Sequence, residues 1–250
     1  MGTTFVRRFG VMAVAGGLLI GFAGPAFASG ATGTSSTPTT STVVPGTAGT
    51  TLNTLKQRCE TAVNNRLASI TTATAVVKDN QYLTGSDRSK LQGQIAAEQT
   101  GLSALGEKIA GDSDLATLRA DCKSIVAQFH WYIIQEPKIH LTIAADTAAH
   151  AVARLQDLSS RLQADIDRAK AKGKDVTQAQ ADEGALNAAI TAGLNAAAPV
   201  PAMVLPLADN NWAAAQPVLT QARTDMGQAR SDFVTARTGA QKVRADLKAL

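Results

Sequence analysis

Residues 127–140 read AQFHWYIIQEPKIH. Phe129, Trp131 and Tyr132 fall within four positions, with His130, Pro137 and His140 beside them, in a chain that is 45% hydrophobic but only 4% aromatic. Alanine dominates that apolar fraction, which suits closely packed helices better than a globular aromatic core. On a helical wheel Phe129, Tyr132 and Ile133 continue an apolar stripe, while His130, Trp131 and Ile134 face the other way. An isolated three-helix bundle has no use for a helix that is apolar on both sides. The stretch therefore reads as a waist, either covered from its second side by another part of the chain or offered to a partner.

Outward from the waist, every long segment after Leu52 carries helical periodicity and none sustains a strand alternation. A first helix spans about 52–78, with Leu52, Leu55, Cys59, Val63, Leu67 and Ile70 along one stripe. A second starts after Thr84 as N-cap with Asp87 at N3, and ends at Gly111. Its stripe is Leu91, Ile95, Glu98, Leu102, Leu105 and Ile109. A third, capped by Ser113, is expected to run through the waist to Lys172, closed by Gly173. Asp175 with Gln178 has the form of a capping box for a fourth helix reaching about Ala197. Three prolines then interrupt residues 198–209. The last helix repeats apolar residues in 3-4 steps from Trp212 through Leu219, Met226, Phe233 and Ala240 to Leu250, a coiled-coil seam in which large residues alternate with alanine. Pro217 lies off the seam and should kink this helix without ending it.

These lengths predict an all-α, elongated antiparallel helical bundle. Two three-helix units, 52–136 and 138–250, would share one long central helix of about 113–172, kinked near Pro137. The fourth helix is shorter than the segment it runs beside, so 198–209 should travel extended and deliver Trp212 to Pro137. His130, Trp131, Ile134, Pro137 and Trp212 then form the candidate partner or ligand surface, unless the proline-rich segment closes over it.

Cys59 and Cys122 lie on the apolar stripes of helices one and three, each about two turns in. Those helices are parallel in an up-down-up hairpin, so the two positions share a height and a disulfide is expected. Compartment agrees with this. Residues 1–28 have a basic start (Arg7, Arg8), an apolar run from Val11 to Phe22 and the small pair Ala26 and Ala28, the layout of a secretory signal cleaved before Ser29. Residues 29–51, SGATGTSSTPTTSTVVPGTAGTT, are too poor in apolar area to order themselves and read as a disordered Ser/Thr/Pro-rich linker, in composition like an O-glycosylated stalk. No apolar run beyond the leader is long enough to span a bilayer. The expected product is secreted, extracellular or associated with the cell wall.

Charge excludes little and favours no polyanion. The chain holds 24 Lys+Arg against 20 Asp+Glu. Arg7 and Arg8 belong to the leader, so the remainder carries about +2, and no nucleic-acid partner is expected. Arg168, Lys170, Lys172 and Lys174 gather at a helix C-terminus, where the macrodipole favours cations. His130, His140 and His150 are spaced by ten residues, which turns a helix by about −80° and advances it about 15 Å, so they cannot share one metal. No nucleophile elbow, P-loop, dinucleotide fingerprint or zinc-protease motif occurs. Glu98, Glu136 and Glu183 sit on or beside apolar stripes but on three different helices, which reads as packing compromise and not as a catalytic pair. No enzyme, cofactor or metal is expected.

The passage LRADCKSIVAQFHWYIIQEPKIHLTIAAD, followed by an Ala/Asp/Arg-rich helix, resembles uncharacterised secreted alanine-rich helical proteins of high-GC Gram-positive bacteria. The resemblance implies no activity and no functional residues. It leaves a non-enzymatic scaffold or interaction protein of the envelope or extracellular space as the leading expectation. A carrier of lipid or another hydrophobic ligand at the waist, and a coiled-coil protein self-assembling through 212–250, are the alternatives.

Overall fold

The structure is a computed structural model that describes residues 47–250; the leader and residues 29–46 of the Ser/Thr-rich segment lie outside the described residues. Among the described residues the fold is all helical, in the order α1 (Thr47–Asp79), α2 (Gly85–Gly111), α3 (Leu115–Ala127), a π turn (Trp131–Gln135), α4 (Glu136–Ala171), α5 (Thr177–Ala197), α6 (Val200–Val204) and α7 (Trp212–Ala249). Residues 47–51, expected in the linker, belong to α1.

Helix ends follow local chemistry. Thr84 caps α2, its hydroxyl accepting from the Asp87 amide at 3.1 Å. The preceding turn is held from both sides. Asn80 Oδ1 accepts from the amides of Tyr82 and Leu83, and the Arg88 guanidinium donates to the carbonyls of Val77, Lys78 and Asn80. These last bonds satisfy carbonyls that the end of α1 leaves open. Asp146 of α4 then accepts from the Thr84 amide at 2.8 Å, tying this corner to the far half of the chain. The cap of α3 is Asp114, not Ser113: its carboxylate takes the amides of Ala116 and Thr117 and the Thr117 hydroxyl, and these bonds hold its pKa below the usual carboxylate value. The capping box expected at α5 does not form. Asp175 instead makes a tight turn onto the Thr177 amide and hydroxyl, while Gln178 reaches forward to Asp182. Gly173, at φ 74, closes α4 as expected.

The helix expected to be continuous through the waist is interrupted at 128–130. It resumes in the π turn, where the His130 carbonyl accepts from both Ile133 and Ile134. Pro137 falls in the first turn of α4, where its missing amide hydrogen is not needed. The interruption and the extra residue in the turn reset the wheel. Tyr132 and Ile133, expected inside, are exposed at 44% and 41%, whereas Trp131 and Ile134, expected opposite them, are at 1% and 0%. Residues 198–209 also differ from the extended path expected. Pro199 and Pro201 sit at the start of α6, where their fixed φ favours a helical turn.

Four apolar clusters make up most of the core. Cys59, Val63, Leu105, Ile109, Leu118 and Ile125 unite α1, α2 and α3. The disulfide Cys59–Cys122 crosses this cluster from α1 to α3, with the Cα atoms 5.6 Å apart. Trp131 joins Ile70, Leu91, Ile95, Leu102, Ile139 and Leu205 in a second. Ile134 points into a third with Leu141, Val200, Val204, Ala215 and Leu219. Val152, Leu162, Ile166, Leu186, Ile190 and Val243 pack α4, α5 and α7 in the last. Glycine permits two close approaches, since a Cβ on Gly101 would stand 2.7 Å from the Phe129 ring and one on Gly193 2.5 Å from the Phe233 ring. Most of the α7 seam is covered within the chain: Ala215, Leu219, Ala222, Ala229, Ala236, Ala240 and Val243 are buried, while Trp212, Met226, Phe233 and Leu247 are half-buried and Leu250 is exposed. The helix runs on through the exposed Pro217.

Candidate functional site

Of the five candidate surface residues, Trp131 and Ile134 are buried. Trp131 faces the α1–α2 side of the turn and Ile134 the α6–α7 side, and both are enclosed. Trp212 is half-buried against the Ile134 cluster, while His130 and Pro137 are also half-buried. Trp131 and Trp212 thus belong to different clusters.

Beside Trp131 lies a polar cluster whose main members the wheel did not single out. Lys138 is 0% exposed. Its ammonium donates to the Leu207 carbonyl at 2.8 Å and to Asp209 Oδ1 at 3.1 Å, with Gln94 Oε1 at 3.4 Å. Gln94 donates in turn from Nε2 to the Leu205 carbonyl at 2.7 Å. His130 Nδ1, 2.6 Å from the Asp209 carbonyl, must carry a hydrogen and donate, because a carbonyl can only accept. Side chains from α2, the loop before the π turn, and α4 therefore all grip one short segment, 205–209, between α6 and α7.

Glu98 completes the cluster from α2. It is 5% exposed, and its Oε1 has no hydrogen-bond partner. Burial, reinforced by the negative charge of Asp209, raises its pKa from 4.5 to about 7; the positive charges of Lys138 and Arg66 oppose the rise. The same burial pushes the Lys138 pKa down, against the pull of Asp209 and Glu98. Two neighbours in sequence are also unmatched: the Trp131 indole N–H and both polar atoms of the fully buried Gln135 make no hydrogen bond. Glu98 was legible as an acidic residue on an apolar stripe. Lys138 was not, because a lysine carries no apolar signal; the break at 128–130 disturbs the wheel only locally, and Leu141, Ala145, Ala148, Val152, Leu162 and Ile166 beyond it are buried on one stripe.

Burial thus shifts the pKa of Glu98 up and that of Lys138 down. Two surface grooves lie along α4, α5 and α7. One is lined by Leu158, Arg161, Leu162, Asp165, Arg244, Leu247 and Lys248, the other by Gln156, Ser159, Ser160, Gln163, Glu183 and Asn187. Neither includes a residue of the cluster. The remaining carboxylates of the stripes are not gathered with Glu98. Glu183 lies beside Asn187 and 2.8 Å from the Ser159 hydroxyl. Glu136 is half-buried, 4.0 Å from His140. His150 packs tilted against the Tyr82 ring at 5.4 Å, so the three histidines serve three separate places. Among the described residues no group of three or more His, Cys, Asp and Glu could hold a metal ion, and no helix is long and apolar enough to cross a membrane. No protein-family model, curated protein or solved structure matches the chain.

Proposed function

We propose that this chain is an exported, non-enzymatic helical scaffold that works through interactions of its polar outer faces at or outside the cell envelope. In this reading α1, α2 and α3 form one three-helix unit, α4, α5 and α7 form the other, and the π turn joins them while α6 and the segment after it seal the joint. One observation carries the reading: the aromatic waist, the best candidate for a ligand groove, is filled by its own Trp131 and Ile134. A leader-like N-terminus and the Cys59–Cys122 disulfide fit an oxidising compartment. Expression of the full chain in a secreting Gram-positive host tests it. The culture medium should contain a protein that starts at Ser29 and lacks two hydrogens relative to its reduced mass. Retention of the uncleaved chain in the cytoplasm would contradict export, and reproducible turnover of a substrate, lost on changing Glu98 or Glu183, would contradict the non-enzymatic part.

A specific feature favours one second reading, a carrier of anionic amphiphiles. The groove of about 380 Å³ between α4 and α7 is lined by three leucines (Leu158, Leu162, Leu247) and by three cations, Arg161, Arg244 and Lys248, against one carboxylate, Asp165. Co-sedimentation with vesicles containing anionic lipid, abolished by Arg244→Glu with Lys248→Glu, would support the carrier. Absence of binding to neutral and anionic vesicles alike would remove it.

A further inference from the structure

The segment Leu205–Asp209 is held to the rest of the fold by polar bonds more than by apolar ones. Leu205 enters the Trp131 cluster and Leu207 lies partly buried against the Ile134 cluster. Its backbone carbonyls at 205, 207 and 209 are taken by Gln94, Lys138 and His130, and its one carboxylate by Lys138. Gln94 and Glu98 stand one turn apart on α2, so the clasp and the unpartnered Glu98 oxygen occupy the same face.

We propose that ionisation of Glu98 unlatches the Leu205–Asn211 segment from α2 and α4, making this joint a proton-operated clasp that is shut in acid and loosens as pH rises to neutrality. The charged groups facing Glu98 are Arg66 from α1, Lys138 from α4 and Asp209 from the segment itself. With Glu98 neutral, one carboxylate, Asp209, faces the buried ammonium. Once Glu98 is charged, a second anion stands in the same low-dielectric site, repels Asp209 and competes for Lys138. Opening lets Glu98 reach water, so each proton released favours the open arrangement. Burial of its carboxyl and the repulsion from Asp209 set the upper end of the transition at about pH 7. His130 contacts the segment from the loop before the π turn, donating to the Asp209 carbonyl.

Amide hydrogen exchange of the disulfide-intact protein, corrected for intrinsic rates, tests the clasp. Linkage limits the gain in opening of the Leu207 and Asn211 amides to about tenfold between pH 6 and pH 8, if opening restores an ordinary carboxyl. Amides of Leu186–Ile190 in α5 should not change over the same range. Glu98→Gln should flatten the response, and Asp209→Asn, which removes a repelling charge but keeps an acceptor for Lys138, should move its midpoint to lower pH. A flat wild-type profile would overturn the proposal, as would an equal response in α5. A pH response that persists in Glu98→Gln would assign the effect to His130 and overturn it equally.

Discussion

The Lys138 ammonium, fully buried, lies 3.1 Å from Asp209 Oδ1, which is itself 28% exposed at its side chain. The pair is therefore asymmetric: one charge has left water altogether and the other has not. Such a cation depends on its partners, because removing them leaves an uncompensated charge, while replacing it by an apolar chain of similar length removes the desolvation cost as well.

That asymmetry separates two substitutions. Lys138→Ala opens a cavity and leaves the Leu207 carbonyl and the Asp209 carboxylate without their donor, and should cost about 3–5 kcal/mol. Lys138→Met fills most of the space and should cost roughly 2 kcal/mol less. Denaturant unfolding of both variants decides. Equal losses would mean that the charge, not the cavity, carries the whole effect.

Glu98 makes stability depend on pH in a direction opposite to that of a salt-bridged carboxylate. Its folded pKa of about 7 lies above the ordinary 4.5. Below about pH 4.5 the group is protonated in both the folded and unfolded chain and changes nothing. As pH rises from there to 7 the unfolded chain loses the proton first, and folding stability falls by at most roughly 3 kcal/mol. Glu98→Gln should thus raise Tm at pH 8 by several degrees and leave it nearly unchanged at pH 4.5. A uniform shift at both pH values would contradict this assignment.

The Cys59–Cys122 bond closes a separation of 63 residues and crosses the α1–α3 core. In the chain-entropy model it contributes about 4 kcal/mol, so reduction should lower Tm by roughly 10 °C. Calorimetry with and without reductant, with the freed thiols counted, checks this. An unchanged Tm in the fully reduced protein would mean that the unfolded chain gains little freedom on losing the bridge.

Two glycines should respond with opposite signs. Gly193→Ala drives a methyl into the Phe233 ring and should cost about 1–3 kcal/mol despite better helix propensity. Gly227→Ala meets nothing within 4 Å on α7 and should stabilise by about 0.5–1 kcal/mol. Thermal unfolding of the two variants compares them, and a stabilised Gly193→Ala would show that the Phe233 ring can move aside.

Periodicity made the all-helical class and the Cys59–Cys122 pair legible, because stripes at Leu52–Ile70, Leu91–Ile109 and Leu219–Val243 each lie within one unbroken helix. It failed at 128–135. A wheel assumes constant rotation per residue, and the interruption with its π turn breaks that assumption where the aromatics cluster. Trp131 and Ile134 were therefore placed on the face opposite the seam, covered by another part of the chain or offered to a partner, and Tyr132 and Ile133 on the seam. The structure buries the first pair and exposes the second. The break in α3 has no proline at the point where it occurs, and Pro137, the visible signal, sits harmlessly in the first turn of α4. Lys138 and Asp209 could not be paired from sequence at all, since their meeting depends on α6 turning back helically through Pro199 and Pro201.

The central claim, that the aromatic waist is closed core, is tested most directly by the emission of Trp131 alone. In the Trp212→Phe protein at pH 6, residue 131 is the only tryptophan of the chain. Emission should be blue-shifted and weakly quenched by acrylamide, as expected of a ring 1% exposed. Red-shifted, freely quenched emission would contradict the account and make the waist an open apolar surface.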